Sequence, residues 1–500
     1  MNILFLMCKT IFETWPLATD FSRYAYGFPS VTYPQLMATI PGVKYRFFDG
    51  IVEPIKMTHY KELLSGHDLI VMSLQSAKIA LNTEITMRLI KRLNPDAKII
   101  LGGQHSTFYY KEWVRRGVDC VVRGEGERTF PELISALSNG DDLRKIPGLV
   151  FREGDETVVN PEREFIPDLD ETPLPDWTSV DLWRYTLRMR NDGLTAAVET
   201  ARGCNQRCSF CSTSAAWKST QRYKSVGRCL EEILALRKEN VKQMILVDDN
   251  FGGDYDRDTE LLDELIKRDL DMRFFGFVRV DTALSYPDLI EKAARAGLRQ
   301  VVVGFESLIP DRLSKVKKGY KKSFKFEDYK EAYQIFHRNG IFVLGQFIVG
   351  FPGEDPEEVK ATLKYCNEIC DCSTINPFKP IYGTKESDDL IQNEEDVDAE
   401  AIFYDLRYLP LYEREPVDKT AHYNSRNFFY PGYLANLFSA DYLKKKYFRN
   451  VYRSSLVQML SCDTTKLMDF LTARKNRLIP AERKERIISK YLKNDFLDNL

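Results

Sequence analysis

Short apolar runs alternate with helical segments from residue 1 to about residue 140. NILFL, DLIVMS and KIILGG are typical of buried strands, and segments such as EITMRLIKRL have the apolar spacing of a helix. Strands that alternate with helices predict a doubly wound, mostly parallel α/β sheet. In such sheets ligands bind at the carboxyl ends of the strands. We therefore expect a first domain over residues 1–140 with a ligand site at that edge.

A second series of alternating strands and helices begins near residue 191. It runs from TAAVETARG through MILVDD, MRFFGFV, QVVVGFES and FVLGQFIVGFPG to CSTINPF. Six such units predict a partial, parallel (βα)6 barrel over residues 191–385, whose site lies at the C-terminal ends of the strands. Over residues 141–190 the sequence predicts a linker with one hairpin and Pro-rich turns. Residues 386–500 predict a mainly helical C-terminal domain.

Composition and charge narrow the class of protein. The 500 residues are 44% hydrophobic and 29% charged, which is enough for several cores, and the net charge of -2 gives no general electrostatic attraction to nucleic acid. The N-terminus has no Lys or Arg before its short apolar stretch, and no segment approaches the roughly 20 apolar residues of a membrane span. We expect a cytoplasmic protein that binds no nucleic acid. Ten cysteines in this length do not indicate a disulfide scaffold.

Three cysteines form a compact loop directly after the first predicted barrel strand. Cys204, Cys208 and Cys211 have the spacing C-x3-C-x2-C. Thiolates suit iron–sulfur clusters and zinc, and three of them would leave one iron of a four-iron cluster open to another ligand. Zinc would need a fourth ligand, and no nearby Cys or His pair supplies it. The remaining alternative is three ordinary buried thiols.

This loop, at the end of the first strand of a βα barrel, resembles that of the radical S-adenosylmethionine (SAM) superfamily. The resemblance implies a 4Fe–4S cluster whose open iron chelates the amino and carboxylate groups of SAM. It also implies an electron donor, such as flavodoxin or ferredoxin, whose electron cleaves SAM to a 5′-deoxyadenosyl radical. Cys204, Cys208 and Cys211 are then the metal ligands.

Polar residues at the later strand ends match the same family pattern. The resemblance implies contacts with the SAM amino group after the second strand, with its ribose in the GFES turn, and with its adenine near the fifth strand. The candidate SAM contacts are Asp248, Asp249, Asn250, Arg279, Glu306, Ser307 and Gln346. Taken singly, each motif is also compatible with a simple turn or a helix cap.

The first domain resembles the Rossmann-like cobalamin-binding domain of the cobalamin-dependent branch of this family. The resemblance is carried by SLQS, ILGGQHST and VDCVVRGEGERTFPEL, whose loops hold the corrin and its nucleotide tail in that branch. The candidate cobalamin contacts are Ser73, Ser76, Gly102, Gly103, Gln104, Gly124 and Glu125. None of the five His lies in a D-x-H-x-x-G motif, so we expect no His on the cobalt and place His105 at the ligand's periphery. The alternative is a degenerate domain that binds no cobalamin.

Both cofactors together imply a C-methyltransferase. In that branch one SAM methylates cobalamin, and another yields the radical that takes hydrogen from an unactivated carbon of a small molecule or of a peptide or protein side chain. A cyclase or oxidoreductase without methyl transfer and a non-catalytic cobalamin sensor are the alternatives. A methylthiotransferase is disfavoured, because it would need three N-terminal cysteines and only Cys8 and Cys120 precede residue 200.

Two further features have ordinary explanations that we favour. Cys366 and Cys370 have helical i, i+4 spacing and Cys372 follows, so they could hold an auxiliary cluster or quench a radical, but one core-facing helix face also explains them. The aromatic C-terminal segment HYNSRNFFYPGYL could line a substrate pocket, and aromatic stripes more often form core.

Overall fold

A computed structural model describes most of the chain up to residue 388. The described residues are 1–8, 29–50, 52–53, 57–76, 79–185, 193–309, 313, 324–349, 351, 355, 358, 361–362, 365–378, 381 and 383–388. They fall into two compact units, one up to residue 185 and one from residue 193 onward. The predicted C-terminal domain, its aromatic segment included, lies almost entirely outside the described residues. No described helix is long and apolar enough to cross a membrane.

The first unit is built on a seven-stranded sheet with the order β2-β1-β3-β4-β5-β6-β7. Strands β1 to β5 are parallel and β6 and β7 are antiparallel additions. Ile3 to Leu6 and Leu69 to Met72 are at most 3% exposed, as expected where helices cover both faces of a parallel sheet. The strands are β1 Ile3–Met7, β2 Tyr45–Asp49, β3 Leu69–Ser73, β4 Lys98–Gly102, β5 Cys120–Val122, β6 Leu149–Glu153 and β7 Glu156–Val159.

Among the residues that the structure describes, six α-helices and four 3-10 turns accompany this sheet. The helices are α1 Thr32–Ala38, α2 Met57–Leu64, α3 Ala80–Leu93, α4 Gln104–Phe108, α5 Tyr110–Arg115 and α6 Gly126–Asn139. The 3-10 turns are Leu143–Lys145, Leu169–Glu171, Trp177–Ser179 and Leu182–Arg184. The hairpin predicted in the linker is present as β6 and β7, and it extends the sheet through Val121 opposite Val150. Val150 is fully buried, which explains why the hairpin packs as part of the core.

The second unit is a six-stranded, all-parallel sheet with the order β15-β14-β13-β12-β11-β8, together with a separate two-stranded ribbon of β9 and β10. The six-stranded sheet confirms the predicted series of βα units. Its strands are β8 Leu194–Val198, β11 Val241–Leu246, β12 Arg273–Val278, β13 Leu298–Glu306, β14 Phe342–Val349 and β15 Cys372–Pro377. The ribbon pairs β9 Ala201–Gly203 antiparallel with β10 Gln221–Tyr223.

Helices connect the parallel strands of the second unit. They are α7 Ser212–Ala216, α8 Val226–Lys238, α9 Tyr255–Arg268, α10 Val280–Ser285, α11 Pro287–Ala296 and α12 Phe326–Arg338, with a 3-10 turn at Cys366–Glu368. Cys366 and Cys370 are both buried, and the Cys370 thiol donates to the Cys366 carbonyl at 3.1 Å. This agrees with core packing of these two thiols.

Candidate functional site

The three-cysteine loop leaves the end of β9 and runs into α7. Cys204 and Cys208 are buried and Cys211 is half-buried, at the N-cap of α7. The backbone N–H of Cys211 donates to the Cys208 carbonyl at 3.2 Å, which closes a turn between the second and third thiols. Burial raises the pKa of Cys204, and the Arg279 guanidinium acts in the opposite direction. A cation near Cys204 favours the thiolate form that binds iron.

The spacing of the thiols bears on which metal group they suit. Among the described residues, no three His, Cys, Asp or Glu side chains converge closely enough to hold one metal ion. A single zinc with Zn–S bonds of about 2.3 Å would bring its thiolates to roughly 3.8 Å from one another. A four-iron cluster binds each thiolate on a different iron, so its ligands stand farther apart. Three thiolates in one loop are compatible with a four-iron cluster that takes its fourth ligand from another molecule.

Both ends of the loop are fixed by the β9–β10 ribbon. Gly203 lies opposite Gln221 in the register of the ribbon, so the segment 204–220 leaves and returns at one place. Gly203 has φ +84°, and a Cβ there would lie 2.2 Å from the Thr220 carbonyl oxygen. Only glycine is compatible with this close approach. The residue before Cys204 is therefore set by backbone packing.

The two aspartates after β11 are engaged with the backbone around β9. Asp248 is 1% exposed and accepts bonds from the N–H groups of Thr200 at 2.6 Å and Ala201 at 2.9 Å. Asp249 accepts from the N–H of Gly203 at 3.2 Å and from the Thr213 hydroxyl at 3.0 Å. Burial raises the pKa of Asp248 to about 7 and also raises the pKa of Asp249. These carboxylates brace the start of the cysteine loop, and their predicted contact with SAM stays a prediction.

Asn250 offers a buried acceptor next to these aspartates. Its side chain is 3% exposed, and its Oδ1 atom has no hydrogen-bond partner among the described residues. Its backbone carbonyl accepts a bond from the Gln221 amide at 2.8 Å, so the residue is fixed against the ribbon. A buried oxygen without a donor is costly unless a ligand supplies one. The ammonium group of SAM is a donor of the required kind.

The remaining predicted SAM contacts lie on the central strands. Arg279, at the end of β12, forms a two-pronged ion pair with Asp281 at 2.8 and 2.9 Å. Glu306 ends β13 with φ +62°, a left-handed conformation that is uncommon for a side chain of this kind. Ser307 is fully buried, and its hydroxyl accepts the N–H of Ile309 at 3.1 Å. Gln346 lies on β14 in register with the last residues of β13.

In the first unit, the loops after β3 and β4 are bonded to each other. The N–H of Leu74 donates to the Gly102 carbonyl at 2.8 Å, and the N–H of His105 donates to the Leu74 carbonyl at 3.0 Å. Gly103 has φ +91°, and a Cβ there would lie 2.4 Å from the Leu74 carbonyl oxygen. The loop after β5 joins them, since the Gly124 N–H donates to Thr107 of α4 at 3.0 Å. Three of the predicted loops therefore meet at one sheet edge.

The polar side chains of these loops divide into two groups. Gln75 bridges two of them, since it donates to the Ser73 hydroxyl at 3.2 Å and accepts from the N–H of Gln104 at 3.4 Å. Ser76 is exposed beside them. Glu125 is buried instead, and its carboxylate accepts the N–H of Ile166 at 2.6 Å. Glu125 thus connects the loop after β5 to the backbone at Ile166, and its contact with cobalamin stays a prediction.

His105 is a core residue of the first unit. It is 5% exposed, its Nδ1 accepts the indole N–H of the fully buried Trp113 at 3.2 Å, and its ring stacks on Tyr109 at 4.6 Å. The sequence did not reveal this partner, although Trp113 lies eight residues along the chain. Nor did it reveal Thr200, Lys224 and Arg257, whose burial around β9 depends on distant contacts.

Two family profiles match this chain, one in each of its units. The sequence profile of the radical SAM superfamily matches residues 198–366, and the profile of the B12 binding domain matches residues 61–134. The chain therefore combines a radical SAM domain with a B12 binding domain. It is accordingly a radical SAM enzyme whose cofactors are a 4Fe–4S cluster, SAM and cobalamin. The matched ranges contain the cysteine loop and every candidate cobalamin contact.

Individual relatives agree with this assignment. An uncharacterized methyltransferase of Pyrococcus horikoshii is 29% identical over 387 residues, which is 76% of this chain and 80% of that protein. The anaerobic magnesium-protoporphyrin IX monomethyl ester cyclase of Rubrivivax gelatinosus is 32% identical over 292 residues, or 57% of this chain. That match spans only 51% of the cyclase, about half its length.

Two solved structures share the fold. The radical SAM methyltransferase TsrM of Kitasatospora setae superposes with a TM-score of 0.65 at 20% identity, over 78% of this chain and 76% of that one. The cobalamin-dependent radical enzyme OxsB superposes with a TM-score of 0.65 at 16% identity, over 100% of this chain and 80% of that one. Identities this low indicate a common fold, while substrates need separate support.

Proposed function

We propose that this enzyme is a cobalamin-dependent radical SAM C-methyltransferase that acts on an unactivated carbon. The observation that carries the proposal is one chain with a braced three-cysteine loop in its second unit and a glycine-lined sheet edge in its first. When bound, the cofactors supply a 5′-deoxyadenosyl radical and a transferable methyl group. A flavodoxin or ferredoxin would supply the electron. The substrate is a small molecule or a peptide or protein side chain.

The residues of the second unit fit the cluster and SAM. Cys204, Cys208 and Cys211 would hold three irons, and the buried Asn250 oxygen would accept the ammonium group of SAM. We assign the other strand-end residues to the same ligand, with the ribose near the strained end of β13 and the adenine near β14. They are Asp249, Arg279, Glu306, Ser307 and Gln346, whereas the carboxylate oxygens of Asp248 are bonded to Thr200 and Ala201.

The sheet edge of the first unit fits a large polar ligand. Gly103 lets the loop after β4 lie directly against the loop after β3, so backbone amides and small side chains form the surface there. The open edge at Gly124, where a Cβ would meet nothing within 4 Å, leaves room beside them. We assign the cobalamin contacts to Ser73, Ser76, Gly102, Gly103, Gln104, Gly124 and Glu125.

The test is anaerobic reconstitution with iron, sulfide and cobalamin, followed by reduction in the presence of SAM that carries a deuterated methyl group. We expect about four irons per chain, a corrin absorption spectrum, 5′-deoxyadenosine, and transfer of the deuterated methyl to a supplied acceptor. Cys208→Ala should lose most of the iron and all 5′-deoxyadenosine, whereas Cys462→Ala, outside the loop, should keep both. A loaded protein that forms no 5′-deoxyadenosine with any acceptor would overturn the enzymatic proposal.

A cyclisation or oxidation without methyl transfer is the second candidate. The 32% identity to the magnesium-protoporphyrin IX monomethyl ester cyclase favours it specifically. The two reactions differ in product mass. A product that gains one deuterated methyl group supports the methyltransferase, and a product that loses hydrogen without gaining the label supports the cyclase class.

A further inference from the structure

Thr200 lies in the short bend between β8 and β9, four residues before the first cluster cysteine. It is fully buried. Its hydroxyl donates to Asp248 at 2.5 Å, while its N–H donates to the other oxygen of the same carboxylate at 2.6 Å. Both oxygens of Asp248 are therefore used to hold one residue of the bend.

Arg257, on α9, also bonds to this bend. Its guanidinium donates to the Thr200 hydroxyl at 3.2 Å and to the Thr200 carbonyl at 3.0 Å. The same group donates to the Lys224 carbonyl at 3.0 Å, directly after β10. Because β9 and β10 begin and end the segment that carries the cysteines, one guanidinium bonds to the backbone beside both of its ends.

The charges of this cluster are enclosed by protein. The side chain of Arg257 is 12% exposed, and that of Asp258, which pairs with it at 2.6 Å, is 2% exposed. Charge-assisted hydrogen bonds in such surroundings are shorter and stronger than those between neutral groups. The Thr200 hydroxyl joins the two charges, since it donates to a carboxylate and accepts from a guanidinium.

We propose that Thr200, Asp248 and Arg257 form a buried clamp that positions the cluster loop at both of its ends. The three are positioning residues, because they act through the backbone that leads to Cys204. The inference rests on the proposed cluster at Cys204, Cys208 and Cys211. It assigns to the hydroxyl of Thr200 a role that depends on its hydrogen bonds and not on its volume.

Two substitutions separate the hydroxyl from the volume it fills. Thr200→Val keeps the branched shape and removes both the donor and the acceptor, whereas Thr200→Ser keeps both and removes only a methyl group. Asp248→Asn replaces the acceptor of the hydroxyl proton and removes the charge that faces Arg257. Asp263→Asn, on the same helix as Arg257, is the matched control, because Asp263 is 57% exposed and, within the described part of the chain, pairs only with Lys292 at the surface.

The first measurement is hydrogen exchange of the full-length protein before cluster loading, followed by mass spectrometry of peptides over residues 199–211. We expect Thr200→Val and Asp248→Asn to exchange roughly 10–100-fold faster there, from the loss of charge-assisted bonds. Thr200→Ser and Asp263→Asn should stay within about twofold of the wild type. Peptides over β3 and β4 should be unchanged in all four variants.

The second measurement is the electron paramagnetic resonance spectrum of the loaded and reduced protein with SAM, together with the rate of 5′-deoxyadenosine formation. The clamp predicts an altered cluster spectrum and a rate roughly 10–100-fold lower in Thr200→Val, with Thr200→Ser near the wild type. Unchanged exchange and an unchanged spectrum in Thr200→Val would overturn the clamp, and so would a Ser variant as impaired as the Val variant. A wild type that binds no iron would instead refute the proposed function, and the exchange result would still judge the clamp.

Discussion

Lys224 and Glu232 form an ion pair in the interior of the second unit, and breaking it should be strongly destabilising. The Lys224 Nζ donates to Glu232 at 2.9 Å, and each side chain is only 2% exposed. The second carboxylate oxygen of Glu232 has no partner among the described residues. Lys224→Met would therefore leave a buried carboxylate without its ion-pair partner and without access to water.

The expected size of the effect follows from this burial. Removing one partner of a buried pair costs about 3–5 kcal/mol, and a side chain this enclosed needs no correction for solvent screening. At about 2–4 °C per kcal/mol for a unit of this size, the unfolding midpoint should fall by roughly 6–20 °C. The double replacement of Lys224 by Met and Glu232 by Leu should recover most of the loss, since an apolar pair of similar volume is often neutral.

The way in which the stability of Lys224→Met changes with pH provides an independent test of the ion pair. Burial raises the pKa of Glu232, and loss of Lys224 removes the cation that opposes this shift. A carboxyl whose folded pKa lies above its unfolded value is least costly when protonated, so its penalty grows as the pH rises. The stability deficit of Lys224→Met should therefore be smaller near pH 5.5 than near pH 8.

The assay is thermal and chemical denaturation of the wild type, the two single variants and the double variant at both pH values. Arg228→Met is the matched control, because it breaks a pair with Glu231 in which the carboxylate is 59% exposed, and it should cost about 1 kcal/mol or less. A Lys224→Met variant that loses no more than this control, or whose deficit grows on acidification, would show that the buried pair does not stabilise the unit in this way.

Two predictions concern the first unit. Gly103→Ala should weaken cobalamin binding at least about tenfold in a spectroscopic titration, because its Cβ would collide with the backbone after β3. Gly140→Ala, with a similar φ of +75° and open space around it, is its control, and equal losses in both would refute the close-approach argument. Trp113→Phe leaves the Nδ1 atom of His105 without its donor and should destabilise the protein by about 2 kcal/mol in denaturation, so a loss under about 0.5 kcal/mol would contradict that bond's role.

The succession of strands and helices along the chain could be predicted from the sequence because its signal is local. Apolar runs bounded by turn residues indicate buried strands wherever they occur, and their alternation with helices constrains the sheet to be parallel. The β9–β10 ribbon gave no such signal, since its three-residue strands are partly polar and are defined by their pairing. The sequence predicts the hairpin at residues 149–159. It does not predict the antiparallel pairing of the first hairpin strand, β6, with β5.

The candidate site residues, too, could be predicted from the sequence only in part. Cys204 and its partners were recognisable because their spacing is local, and the position of Asp248 at a strand end was equally visible. What its carboxylate contacts is set by Thr200, 48 residues away in sequence. Local sequence shows that a polar residue is near a site, and distant contacts decide whether it faces a ligand or braces the backbone. Asn250, whose side-chain oxygen is left without a protein donor, could not be distinguished from its neighbours by sequence.

The ribbon that closes the cysteine loop changes the energetics of cofactor uptake. Residues 204 to 220 form a closed segment of seventeen residues in the protein itself, before any iron arrives. Closing a free segment of this length costs about 2.5 kcal/mol of chain entropy, on the order of (3/2)RT ln n. That entropy is lost when the polypeptide folds, so metal uptake only has to order the side chains within a loop already closed. Cluster assembly can then follow folding as a separate event, and a chain that has lost its cluster to oxygen retains the closed loop needed to rebuild it.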